Sequence, residues 1–129
     1  MRELPEFVNE LSGEVIGAAI EVHTILGPGF LESVYEEAMC KELLLRGISF
    51  ECQKGCVIDY KGDHIGEGRI DLFVSKLIVV ELKAVDALAP IHSAQVISYL
   101  KMTKAPLGLL FNFNVPKLMS TGFKRIILS

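Results

Sequence analysis

The stretch GRIDLFVSKLIVVELKAV, Gly68–Val85, decides how this chain folds and where its chemistry could lie. Leu77-Ile78-Val79-Val80 reads as a buried strand, yet it runs straight into Glu81-Leu82-Lys83, and a second acid, Asp71, interrupts the apolar run before it. Residues two apart in a strand share a face, so Val79, Glu81 and Lys83 point one way and Val80, Leu82 and Ala84 point into a core. A salt bridge at a strand end is the plain explanation of such charges. Against it stands the cost of burying a carboxylate and an ammonium in an apolar segment, several kcal/mol unless something compensates. Parity adds a condition. A two-residue turn at Ser75-Lys76 would set Asp71 against Val80, on the wrong face for Glu81. The two acids share a face only across a loop of odd length or a bulge.

Outward from this stretch the pattern changes period. Val8, Leu11, Val15, Ala19, Val22 and Leu26 recur at helical spacing and predict a helix over Phe7–Leu26, ended by Gly27-Pro28-Gly29. A second helix is predicted over Phe30–Arg46, with Leu31, Val34, Ala38 and Leu45 among its apolar positions and Gly47 as cap. Strands follow around Ile48–Gln53, Cys56–Lys61, His64–Val74 and Leu77–Val85, with a turn at Tyr60-Lys61-Gly62-Asp63. Pro90 opens a third helix to Thr103, closed by Pro106. Leu107–Phe113 is apolar enough to be read as a strand central in the sheet, and Phe123–Leu128 is the last. The expectation is α/β and one domain over residues 1–129.

Composition bounds the function. Half the residues are hydrophobic, 22% are charged, and the net charge is −3, which argues mildly against a broad nucleic-acid-binding surface. No uncharged apolar run approaches the roughly 18 residues of a membrane span. The opening segment MRELPEFVNELSGE has no hydrophobic signal core, so a cytoplasmic protein is expected. Cys40, Cys52 and Cys56 are an odd set without a disulfide framework, and the CxxxC pair lacks the partners of a zinc site.

Two carboxylates and a lysine converging on one patch of sheet can hold a divalent cation and a water. Oxygen donors suit Mg²⁺, which keeps some waters and accepts phosphate oxygens. The ion lowers the pKa of bound water and offsets charge on a scissile phosphate, and a neighbouring lysine can orient that water. The third helix carries His92, Gln95 and Tyr99 on one side, with Ile91, Ala94 and Ile97 opposite. Such a stripe is either a solvated face or a wall of the site. Glu32, Tyr35 and Glu36 follow Gly27-Pro28-Gly29, where an acid is also favoured by the helix dipole alone. His23, near the end of the first helix, reads as a capping or packing residue, and His64 as a solvated turn residue. No nucleophile elbow or glycine-rich phosphate loop is present.

An acid on one strand followed by E-x-K on the next resembles the PD-(D/E)XK nuclease superfamily, with Ile70-Asp71 in place of the "PD" pair and Glu81-Leu82-Lys83 as the E-x-K. Gly29-Phe30-Leu31-Glu32-Ser33-Val34-Tyr35 resembles the motif that names the GxxExxY branch. LGPGFLESVYEEA, DYKG, IDLFV, VVELKAV, AQVISYL and LGLLFNF are similar to that family's blocks, in its order. The resemblance implies a restriction-endonuclease-like core: a mixed central β-sheet flanked by α-helices. It implies Asp71 and Glu81 as ligands of Mg²⁺ (or Mn²⁺), with the Leu82 carbonyl and Glu32 as further metal contacts. Lys83 becomes the catalytic lysine, and Gln95 and Tyr99 match the Q-x-x-x-Y signature of exonuclease-like members. The expected activity is hydrolysis of DNA phosphodiester bonds, and a homodimer is expected because many superfamily members act as dimers. The alternative reading is a non-catalytic module that binds nucleic acid or protein on the same fold.

Overall fold

A computed structural model of the chain describes residues 3–128. Helix α1 (Glu6–Leu26) buries Val8, Val15, Ala18, Ala19 and Val22 along one stripe, and the Gly27 N–H closes it on the His23 carbonyl at 2.8 Å. Helix α2 (Glu32–Leu45) starts two residues later than its sequence pattern suggests. It ends where Gly47, at φ 70°, lets the Ile48 N–H reach back to the Leu43 carbonyl at 3.0 Å. Its buried stripe is Tyr35, Met39 and Leu43, not the expected Leu31, Val34 and Leu45, which lie exposed.

The predicted pair of strands before Lys61 is one strand, β1 (Phe50–Tyr60), joined to β2 (Asp63–Val74) by a tight turn with positive φ at Lys61 and Gly62. Strand β3 (Ile78–Lys83) follows a loop of three residues, since Val74 pairs with Ile78. The odd loop meets the parity condition. Helix α3 (Pro90–Thr103) carries the chain over to β4 (Leu107–Asn112), which lies parallel to β3. A short helix α4 (Leu118–Thr121), unmarked by any periodic signal, precedes β5 (Phe123–Ile126). No described helix is long and apolar enough to cross a membrane.

The sheet is mixed, in the order β1-β2-β3-β4-β5. Strand β3 is the middle one, and β4, expected inside the sheet from its apolar content, lies between β3 and β5. Strand β4 is buried throughout, Asn112 included, because it is paired on both edges and covered on both faces. On one face Leu72, Val74, Val80, Leu82, Leu109 and Phe111 pack with α1 and α2. On the other, Ile70, Phe73, Val79 and Leu110 pack with Val96, Tyr99 and Leu100 of α3. Ile91, expected on the apolar side of α3, is 69% exposed, and Tyr99 belongs to the buried side instead. The helix rides so close that a Cβ added at Gly108 would stand 2.4 Å from Val96 Cγ1.

Candidate active site at a fork in the sheet

Strands β2 and β3 pair only through Leu72–Val80, Phe73–Val79 and Val74–Ile78. Beyond that point β2 continues alongside β1, and β3 continues alongside β4, so the two strands part at Asp71 and Glu81. The parting leaves backbone groups that a ladder would have used. The acids supply their partners: the Asp71 N–H donates to Glu81 Oε2 at 2.8 Å, and the Leu82 N–H donates to Asp71 Oδ2 at 2.8 Å. Each carboxylate thus spends one oxygen on the opposite strand's main chain.

Glu81 is 2% exposed. Burial, then the nearby Asp71 charge, push its pKa from 4.5 up to about 8, against the opposing pull of the Asp71 N–H and the Lys83 ammonium. Lys83, half-buried at the end of β3, donates from Nζ to Gln95 Oε1 of α3 at 3.4 Å. Tyr99, one turn further along, accepts the Arg69 N–H on its hydroxyl at 3.2 Å, and its ring lies against Gly68. Burial raises the Tyr99 pKa, opposed by the Arg69 N–H. Hydrogen bonds therefore join Asp71 to Glu81 and, separately, Lys83 to Gln95, and Tyr99 fixes α3 on β2 beside them.

Glu32 approaches from the opposite helical layer. It makes no hydrogen bond to these groups, but it shares their field: partial burial raises its pKa, Lys83 lowers it, and Asp71 and Glu36 raise it. The turn before it explains its placement. Gly29 sits at φ 108°, a conformation L side chains rarely adopt. The Tyr35 hydroxyl donates to the Gly27 carbonyl at 2.6 Å and accepts the Phe30 N–H at 3.2 Å, while its ring stacks on Phe113 with centroids 4.6 Å apart. Gly29 and Tyr35 therefore shape the corner that presents Glu32.

Leu82 enters the site through its backbone N–H. His23 is a packing residue, hydrogen-bonded through Nε2 to the Val115 carbonyl at 2.8 Å. Two contributors, Gln53 and Asn112, had no clear signal in the sequence, whereas Glu36 stands out there beside Glu32. Gln53 of β1 donates to both Glu36 and Asp71. Glu36 sits one turn beyond Glu32, a spacing that puts both on one helix face. Asn112, fully buried, holds Val85 by accepting its N–H at 3.0 Å and donating to its carbonyl at 2.9 Å, which fixes the path from β3 into α3.

Among the described residues, no group of three or more His, Cys, Asp or Glu side chains is placed to hold a metal ion. The donor set at the fork nevertheless fits a hard divalent ion. Two carboxylates on adjacent strands, one of which ionises reluctantly beside the other, suit an ion that completes its shell with waters and phosphate oxygens. The cysteines are free thiols, and burial pushes Cys40 up to about 12.

Compared with curated proteins and with solved structures, the chain shows no significant match. The family model of the PD-(D/E)XK nuclease superfamily matches residues 9–126, from α1 through β5 and across the whole fork, and the chain belongs to that superfamily.

Proposed function

We propose that this protein is a divalent-cation-dependent nuclease of the GxxExxY branch that hydrolyses DNA phosphodiester bonds at the β2–β3 fork. The observation that carries the reading is the pair of acids at the fork with Lys83 held beside them by Gln95. A purely structural ion pair has no need of a second carboxylate that raises the pKa of the first.

Asp71 and Glu81 would hold Mg²⁺ or Mn²⁺, with the Leu82 carbonyl and Glu32 as further contacts. The ion would supply a water of lowered pKa and a counter-charge for the phosphate. Lys83 orients the attacking water and offsets negative charge developing on the phosphate. Gln95 keeps the Lys83 ammonium at the mouth of the fork instead of letting it pair with Glu81. Tyr99 anchors α3 to the Arg69 backbone and so sets the distance of Gln95 from the strands.

The test is Mn²⁺ titration of metal-free protein by calorimetry, followed by a cleavage screen over single-stranded, duplex and branched DNA and matching RNA. Mn²⁺ binding and DNA cleavage that is lost in Lys83→Ala are expected. DNA binding without cleavage in either metal would favour a non-catalytic binding module. Absence of metal binding would overturn the nuclease reading.

A further inference from the structure

We propose that Gln53 is a positioning residue: its side-chain amide fixes the Asp71 carboxylate for cation binding and ties it, through Glu36, to helix α2. The inference rests on the nuclease reading and names a residue outside the acid–lysine set.

The backbone is the first sign. Gln53 lies in the middle of β1 at φ 51°, a left-handed conformation that disfavours a residue with a Cβ. It falls between the pairs Cys52–Leu72 and Lys54–Ile70, opposite Asp71, where the regular pairing is interrupted. The facing of β2 slips at the same place. Ile70 packs in the α3-side cluster and Leu72 in the opposite one, although residues two apart normally share a face. Both strands are therefore irregular at this one rung.

The side chain is the second sign. The side-chain amide nitrogen donates to Glu36 and, at 3.3 Å, to Asp71 Oδ1, while the Gln53 main-chain carbonyl accepts from Arg69 Nη1 at 3.3 Å. With Asp71 Oδ2 held by the Leu82 N–H, the carboxylate is gripped from both sides and its plane is fixed. The chemistry of the donor matters. A neutral amide orients a carboxylate without cancelling its charge, whereas lysine or arginine there would compete with a cation and an acid would repel Asp71. Glycine would take this backbone without strain but brings no donor. The site keeps the strained residue that has one.

The experiment uses the full chain, freed of metal, with Mn²⁺ as probe and two variants. Gln53→Gly relieves the backbone and removes the amide. Gln53→Met keeps side-chain bulk and backbone conformation and removes only the donor. Positioning predicts that both bind Mn²⁺ about tenfold more weakly. It also predicts faster amide exchange at Leu82 in metal-free protein, with Gln53→Gly melting in chelator no lower than wild type. A merely structural role predicts a lower melting temperature for Gln53→Gly and unchanged Mn²⁺ affinity. Affinities within twofold of wild type in both variants would overturn the assignment while leaving the nuclease reading intact. Failure of the wild type itself to bind Mn²⁺ would overturn both.

Discussion

Glu81→Gln should stabilise the metal-free protein at neutral pH and leave it unchanged near pH 4. In the folded chain the Glu81 carboxyl holds its proton up to about pH 8, against an ordinary 4.5. The folded state thus binds this proton more tightly than the unfolded state. Wild-type stability is full below about pH 4.5 and declines as the pH rises towards 8. At 1.36 kcal/mol per pH unit, the loss is about 3 kcal/mol by pH 7 and about 4–5 kcal/mol above pH 8. Glutamine keeps the carbonyl that accepts the Asp71 N–H and carries no charge, so it escapes the loss. Urea unfolding in chelator at pH 4, 5.5, 7 and 8.5 reads the difference. With a slope of about 1.5–2 kcal/mol per molar urea, the midpoint should rise by roughly 1.5–2 M at pH 7 and by nothing at pH 4. Adding Mn²⁺ should then stabilise the wild type and not the variant, because the ion binds the ionised carboxylate. Destabilisation by about 3 kcal/mol in chelator at pH 7 would instead make ionised Glu81 the structural partner of Lys83. That result refutes the reasoning.

Three further outcomes follow from the same geometry. Asp71→Asn removes the second-largest cause of the high Glu81 pKa, so melting in chelator at pH 7 should show no loss or a gain of roughly 1 kcal/mol, while calorimetry should show Mn²⁺ binding abolished. Gln95→Ala frees the Lys83 ammonium without touching either acid, so Mn²⁺ affinity should hold while the single-turnover cleavage rate falls about tenfold or more. Gly108→Ala drives a methyl into Val96 Cγ1 on the α3 side and should destabilise the fold by about 1–3 kcal/mol in urea unfolding.

How much of this was legible in the sequence depended on whether one periodicity stood alone. Helix α1 has a single apolar stripe, and its bounds follow the pattern to within a residue. Helix α2 has two competing stripes, Leu31-Val34-Ala38-Leu45 and Tyr35-Met39-Leu43, and hydrophobicity favours the wrong one. What selects the second is remote: the Tyr35 hydroxyl bonds Gly27, and its ring stacks on Phe113, 78 positions away in the chain. In α3, Val96 fits against Gly108 and Leu100 lies in the same cluster, while Ile91 stays in solvent. The acid–acid–lysine set was readable because charges inside apolar strands stand out against their neighbours. Gln53 was not, because a glutamine among Glu51, Cys52 and Lys54 looks like ordinary strand surface and nothing in its chemistry announces a left-handed backbone.

The fork gives the opening puzzle of the sequence a physical resolution. Had Asp71 and Glu81 been Val and Ile, β2 and β3 would have had every reason to continue their ladder, because both flanks of this sheet are already covered by helices. With carboxylates there, the Asp71 and Leu82 N–H groups take side-chain oxygens as acceptors in place of a continued ladder. The opening between the strands thus costs no unsatisfied main-chain donor at these two residues. What it does cost is electrostatic, and the cost is concentrated on Glu81, buried beside Asp71 with Lys83 as its nearby compensating charge. The same two groups therefore part the strands and satisfy the backbone at the parting, and ionising Glu81 there carries a cost that a divalent cation would relieve. Stability at neutral pH and readiness for a cation are opposed at one residue, which is why the pH dependence of Glu81→Gln, with and without Mn²⁺, reads both together.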